Sequence, residues 1–355
     1  MKEPSISLIR NLSECGGVSG YEDDVASIVR SQLPDSVAVE KDNGGNLVAV
    51  IPGKDPNPLT ILFAAHMDEV GFIVSDILPE GFLKVSMIGR WNTLTLPSSP
   101  VDIVNSRGEK VRGVFGQISP HFLKAGTVPS VPDIDDLFID IGAMNDQSVR
   151  DDFNIEIGNI AVAFTPFVYS PFNEIIMGKA FDDRLGVATL IELAHKIASY
   201  PIGATVKFAF TVQEEVGVRG ASILSNYIKA DIAFIVEGAP ADDMPRGPKR
   251  PQTCVSKGAH VRIFDPTHIG NPEILSYVDS VARDYDIPIQ KSVRKGGGTD
   301  AMKIALSNRG VKSIVVGVPV RYAHSHCGVS SLSDYRNLIE LLYVVCENSR
   351  KITVG

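Results

Sequence analysis

Five stretches of the chain close an apolar run, or open one, with acids or imidazoles. LTILFAA stops at His66-Met67-Asp68-Glu69, TVKFAFTVQ at Glu214-Glu215, and DIAFIV at Glu237-Gly238. KSIVVGVPV leads into Arg321-Tyr322-Ala323-His324-Ser325-His326, and Phe181-Asp182-Asp183-Arg184 stands just before a long amphipathic segment. Continuous apolar runs read as strands covered on both faces, and ligands of open α/β sheets collect beyond the carboxyl ends of such strands. One acid at a strand end caps a helix or faces water. Five such segments at one edge are different, because desolvated carboxylates need compensating positive charge and one arginine cannot neutralise them all. A divalent cation, or two, can. Imidazole and carboxylate ligands without thiolate suit zinc, cobalt or manganese in an open catalytic site, and the lone thiol of Cys327 near His324 does not displace that reading.

Spacing adds roles. In His66-x-Asp68 the strand period of two puts both side chains on one face. A metal-bound imidazole usually donates its second ring N–H to a carboxylate, and Asp68 is placed to do that or to hold a close relative of that role. Glu214 and Glu215 are neighbours and point to opposite sides, so one can ligate metal while the other faces the reacting water as a general base.

The elements that must carry these residues are legible in outline. Residues 5–14 and 22–33 have helical apolar spacing, with Gly16, Gly17 and Gly20 breaking the chain between them. Strands are expected at 46–51 and 59–65. From about 72 to 170 the texture changes to short alternating segments separated by Gly, Pro, Asn and Asp, the pattern of a small all-β barrel or sandwich. Strands and helices then alternate again. RLGVATLIELAHKIA carries a stripe of Val187, Leu190, Ile191, Ala194, Ile197 and Ala198. TVKFAFTV and DIAFIV read as strands, with GASILSNYI as a helix between them. PEILSYVDSVARDY and SLSDYRNLIELLYVVCENS read as further helices, the last opened by a capping box at Ser331-x-x-Asp334. The simplest architecture is an α/β domain built from both ends of the chain, with a β domain inserted in it.

Composition excludes several other classes. The chain has 355 residues, 44% hydrophobic and 21% charged, which rules out a disordered or fibrous protein and gives a prior of two domains. Its 34 basic and 42 acidic residues leave a net charge of −8. With a pI near 5.4 and no long basic run, it does not read as a binder of nucleic acid or anionic membrane. Mean hydropathy is +0.09, and no apolar run approaches the ~18–20 residues of a bilayer span. The opening MKEPSISLIRNLSECGG lacks the apolar core of a secretory signal. Four well-separated cysteines, Cys15, Cys254, Cys327 and Cys346, read as free thiols in a reducing cytoplasm.

Taken together, the motifs GVSGYED (17–23), AAHMDEVGF (64–72), FIDIGA (138–143), GKAFDDRLGV (178–187), VQEEVGVRGA (212–221), GGGTDA (296–301) and PVRYAHS (319–325) resemble those of a known enzyme family. This is the family of cytoplasmic dinuclear metallo-aminopeptidases that includes glutamyl and deblocking aminopeptidases and the tetrahedral dodecameric enzymes. The resemblance runs in the family's order over essentially the whole chain. It implies a mixed-sheet, three-layer α/β catalytic domain formed by residues 1–71 and 171–355, and an inserted barrel-like oligomerisation domain at 72–170. It implies that His66 and Glu237 hold one divalent ion, that Glu215 and His324 hold a second, and that Asp182 bridges them. Glu214 would be the general base and Asp68 the carboxylate behind His66. At the position of Glu237 the family carries either Asp or Glu. His326 competes with His324 but, two residues on, reads as a supporting or surface residue. The Asp182–Asp183 peptide is expected to be cis, and the loop Gly296–Asp300 to lie near the site without an assigned role. His121, in the insertion, could reach a neighbouring subunit, whereas His195, His260 and His268 read as structural or surface residues.

The expected activity is release of N-terminal residues from peptides with a free amino terminus. Two bound ions (zinc or cobalt first, manganese next) would activate the attacking water, in a cytoplasmic homo-oligomer that is a dodecamer by resemblance. Three other readings use the same residues. A related deacylase or carboxypeptidase would share the metal constellation, and the endoglucanase label given to some family members would require no metal. A non-catalytic scaffold subunit would leave the cluster vestigial.

Overall fold

The computed structural model describes residues 6–122 and 131–352. Its centre is a nine-stranded mixed sheet. Four strands run parallel in the order Thr205–Thr211, Thr60–His66, Ile232–Pro240 and Lys312–Val320. Antiparallel strands flank them, Leu47–Ile51 (followed by Val39–Lys41) on one side and Ala259–Asp265 on the other, the latter also pairing with His268–Ile269 and Ile289–Val293. The apolar runs are continuous because both faces are covered. Ile61, Phe63 and Ala65 of one strand point into one core, and Leu62 and Ala64 into the other. In the first core Phe63 stacks on Phe208 and Phe234 of its two neighbours, with centroids 5.9 and 5.4 Å apart. These in-register rings resist a slip that would turn every side chain over.

Helices Ile6–Glu14, Asp23–Gln32, Phe181–Ser199, Pro272–Asp284 and Leu332–Glu347 contribute to the first core, while Arg219–Leu224 and Ala301–Ile304 cover the other face. Helix Phe181–Ser199 packs on strands Thr60–His66 and Ile232–Pro240 beside Leu332–Glu347 and is buried nearly all round, a wider face than a single stripe.

Strands Gly71–Ile77, Leu83–Ile88, Pro100–Val104, Lys110–Phe115, Ile139–Asp140 and Ile160–Ala163 close into an antiparallel barrel with its own core. Strand Val168–Ser170 does not join the barrel. It pairs with Ile175–Gly178, which pairs with Gly328–Ser331, making a small third sheet.

Three local expectations change. Strand Ile232–Pro240 does not stop at Glu237 but carries it inside, level with Gly317. The helix read at GASILSNYI spans only Arg219–Leu224. Ser331 does cap the last helix, accepting the Ser333 N–H, but Asp334 does not complete a capping box. Its carboxylate instead accepts the backbone N–H groups of Ser256 (2.6 Å) and Gly258 (2.7 Å), which tie a neighbouring loop to the helix. Residue 5, the expected start of the first helix, lies outside the described residues.

Candidate active site

The four parallel strands bring their carboxyl ends to one edge, and the acids and imidazoles collect there. Asp182 is the centre of the group. Its Oδ1 lies 3.4 Å from Nε2 of His66, and its Oδ2 lies 3.4 Å from Nε2 of His324. His66 Nε2 is 3.9 Å from Glu237 Oε2, and His324 Nε2 is 3.1 Å from Glu215 Oε1. His66, Asp182 and Glu237 thus form one set of ligand-type atoms and Asp182, Glu215 and His324 another, each within 4.8 Å of one another. Glu214 joins His66 and Glu215 in a third set. His326 belongs to none of these sets; its carbonyl accepts the Thr165 hydroxyl.

The electrostatics are those of a site short of positive charge. Burial raises the Glu214 carboxyl well above the usual carboxylate range, with Glu237, Asp300 and Glu215 adding to it. Burial does the same to Glu237 and Asp183. Burial also pulls the His324 imidazole down, but Asp182 and Glu215 outweigh it and push the group up to about 11. His66 is likewise carried well above its ordinary value, against burial, by Asp182 and Asp68. Oδ1 of Asp182 is buried and, among the described residues, has no hydrogen-bond partner. An orphaned carboxylate oxygen between imidazole and carboxylate donors fits a divalent cation, and this donor chemistry suits zinc, cobalt or manganese.

Local backbone aims these side chains. Asp182 and Asp183 break the first turn of their helix, and the peptide between them is cis. Gly238 admits the Asp182 turn, since a Cβ there would lie 2.5 Å from the Phe181 carbonyl oxygen and 2.6 Å from Asp182 Cα. Ala180, Gln213 and His324 hold left-handed φ of 54°, 54° and 58°, conformations that cluster at functional sites.

Asp68 acts somewhat differently from its reading in sequence. The nearest acceptor to His66 Nδ1 is the Asp68 backbone carbonyl at 3.1 Å, with the carboxylate at 3.4 Å. That carboxylate accepts the N–H groups of Glu214 (2.9 Å) and Glu215 (3.1 Å) and the Ser19 hydroxyl (2.6 Å). Asp68 therefore links the His66 turn to the two glutamates.

Two acids without an assigned role also belong here. Asp183 accepts the backbone N–H of His66 (3.2 Å) and of Gly186 (3.0 Å). Asp300, from GGGTDA, is buried, accepts the Thr211 hydroxyl, and is pushed up to about 6 by burial. Their signal was present in FDDR and GGGTDA, but spacing alone could not place them. Of the other histidines, His260 and His268 bond Ser292 and Ser313, His195 bonds the Gln32 carbonyl, and His121 is exposed.

Beside the site, Glu69 meets Lys179 at 2.6 Å and Arg184 at 3.2 Å, all three buried. Trp91, from the barrel, lines a small cavity together with Asp182, Glu215 and His324. Neither group announced itself in the sequence, because a lone Trp and scattered charges have no chemical spacing.

Comparison with known proteins agrees with this geometry. Residues 45–341 match the family model described as M42 glutamyl aminopeptidase. The glutamyl aminopeptidase of Lactococcus lactis subsp. cremoris is 32% identical over 329 residues, covering 92% of this chain and 91% of its own. The TET aminopeptidase from a Thaumarchaeota archaeon superposes with a TM-score of 0.90 at 34% identity, covering 97% of both chains. The TET1 peptidase of Pyrococcus horikoshii, described as assembling into a tetrahedron or a large octahedral shell, gives 0.85 at 29% identity, covering 97% of this chain and 99% of its own. The mixed sheet with its closed barrel, the acid and imidazole edge and these matches lead to one conclusion: the chain belongs to the M42 glutamyl aminopeptidase family, metal-dependent enzymes that cleave residues from the N-termini of peptides.

Proposed function

We propose that this protein is an aminopeptidase that works with two divalent ions, His66 and Glu237 holding one, Glu215 and His324 the other, and Asp182 bridging. The observation that carries the reading is the position of Asp182, whose two oxygens each face a different imidazole at 3.4 Å. When bound, the pair supplies Lewis-acid activation of water and of the scissile carbonyl. The chain's own residues do the rest. Glu214 takes the proton of the attacking water and delivers it to the leaving amine. A carboxyl held above its ordinary range by burial retains a proton more readily between those two transfers. Asp68 keeps Glu214 and Glu215 in register with His66 through the backbone bonds described above. The acids around the site offer partners to a free substrate amino group.

The inserted domain, taken as residues 72–170 and containing most of the barrel, is the proposed assembly module. Among the described residues it exposes Leu94, Ile118, Met144 and Ile157, apolar side chains suited to burial against copies of itself. No helix of the described residues is long and apolar enough to cross a membrane, and all four cysteines are free, in keeping with a reducing cytoplasm.

Metal analysis tests the central claim. Reloaded protein is expected to hold two ions per chain, to lose all hydrolysis on chelation and to recover it with zinc, cobalt or manganese. Glu214→Gln is expected to keep both ions and lose turnover. Cleavage of N-acylated amino acids in preference to free-amine peptides would overturn the reading, as would full activity in the presence of chelator. Sedimentation as a monomer at micromolar concentration would remove the assembly role of the barrel.

A further inference from the structure

The barrel comes closer to the chemistry than an assembly module needs to. Strand Leu83–Ile88 runs into a turn at Gly89, where a Cβ would lie 3.4 Å from Cβ of Glu215. Two residues later Trp91 lines the same cavity as Asp182, Glu215, Tyr322 and His324. Its indole stacks on Phe72 of the barrel core, with ring centroids 5.0 Å apart and planes at 27°, and only 9% of the residue is exposed. The ring is therefore fixed by the barrel and not by the sheet.

The indole nitrogen is the unusual feature. Nε1 of Trp91 is buried and, among the described residues, has no hydrogen-bond partner. A buried donor normally finds a protein partner, and indole N–H can only donate. The cations proposed above accept electron pairs and have none to offer, so they cannot accept a hydrogen bond from an N–H. What enters the cavity must supply the acceptor, and peptide main chain offers one at every residue.

We propose that Trp91 is a substrate-binding residue whose indole N–H donates to a backbone carbonyl of the bound peptide. The inference rests on the aminopeptidase reading and extends it: the barrel becomes part of the substrate site. Because the contact is to main chain, it serves all N-terminal residues alike and leaves side-chain preference to other walls.

The test uses a panel of Xaa-Ala-Ala tripeptides with wild type and Trp91→Phe, both loaded with metal. Trp91→Phe keeps an aromatic ring on Phe72 and loses only the donor. It is expected to lose about tenfold in kcat/KM, the scale of one hydrogen bond, uniformly across the panel, with metal content and melting temperature unchanged. Activity within about twofold of wild type overturns the proposal, and so does a loss confined to one class of N-terminal side chain. Trp91 is also the single tryptophan of the chain. In the Glu214→Gln protein, where turnover is slow, its fluorescence is expected to shift on titration with the best tripeptide of the panel. An emission spectrum indifferent to saturating peptide overturns the proposal even if Trp91→Phe fails to fold. Absence of tripeptide hydrolysis by wild type is a different failure, because it removes the aminopeptidase reading itself.

Discussion

Two buried charge clusters lie next to each other, and they are built on opposite principles. In the first, Lys179 reaches both oxygens of Glu69 (2.6 and 2.8 Å) and the Cys15 carbonyl (3.1 Å). Arg184 spends its donors on Glu69 and on the carbonyls of Met67, Leu12, Cys15 and Gly17. Every charge is answered by the chain itself. The second cluster begins one residue before Glu69 in sequence and two before Arg184, at Asp68 and Asp182. Here acids outnumber bases, and burial lifts Glu214, Glu237 and Asp183 well above their ordinary range. A closed cluster holds the N-terminal segment, the His66 turn and the helix start together; an open one calls for a ligand of opposite charge.

Breaking the closed cluster gives the largest expected effect. Arg184→Met removes a donor from four backbone carbonyls. Those of Met67 and Leu12 lose their side-chain partner, while Cys15 keeps Lys179, Gly17 keeps the Glu69 N–H, and Glu69 is left with Lys179 as its one charged partner. The change should cost about 3–5 kcal/mol, measured by denaturant unfolding. A loss under about 1 kcal/mol would show that the cluster is not the clamp described. In the open cluster the effect falls on rate instead. Glu214→Gln should lose at least about a hundredfold in kcat with little change in stability, and near-normal turnover would reject its role as base.

A third expectation sharpens the contrast through pH. In metal-stripped protein the raised value of His324, about 11 against an ordinary 6.5, contributes stability below pH 6.5 that is lost as pH rises through the folded value. The raised Glu214 and Glu237 act in the same direction from pH 4.5 upward. Asp182 and Asp68 are drawn down by their imidazole partners, against burial, so they contribute above pH 3.8 and are lost on acidification. The stripped protein should therefore lose melting temperature on the alkaline side, and added zinc should flatten that arm. An alkaline arm unchanged by zinc would count against cation binding at these residues. The smallest effect belongs to a surface pair. Lys41 and Asp23 meet at 2.7 Å but are 43% and 88% exposed, so Lys41→Met should change stability by less than about 1 kcal/mol.

How much of this was legible in the sequence follows from the same physics. Thr60–His66 and Lys312–Val320 were readable because strands covered on both faces cannot alternate, and their polar termini then stand out. The change of texture after residue 71 was readable because barrel strands are short and broken by turn residues. Glu237 was read as a strand end, yet it sits within a longer strand. Polar residues that end a strand and polar residues that interrupt one look alike when the next residue is glycine. Asp334 fitted a capping pattern, but a loop from 256 to 258 won its carboxylate. Trp91, Asp183 and Lys179 act through contacts with residues far along the chain, and local spacing carries no trace of such partners.

The assembly of the site from four parallel strands also sets when a working enzyme can exist. Its residues span positions 66 to 324, with the barrel threaded between the first and the rest. No stretch of nascent chain that stops short of His324 contains the second imidazole, so a chain that ends before it lacks part of the proposed ligand set.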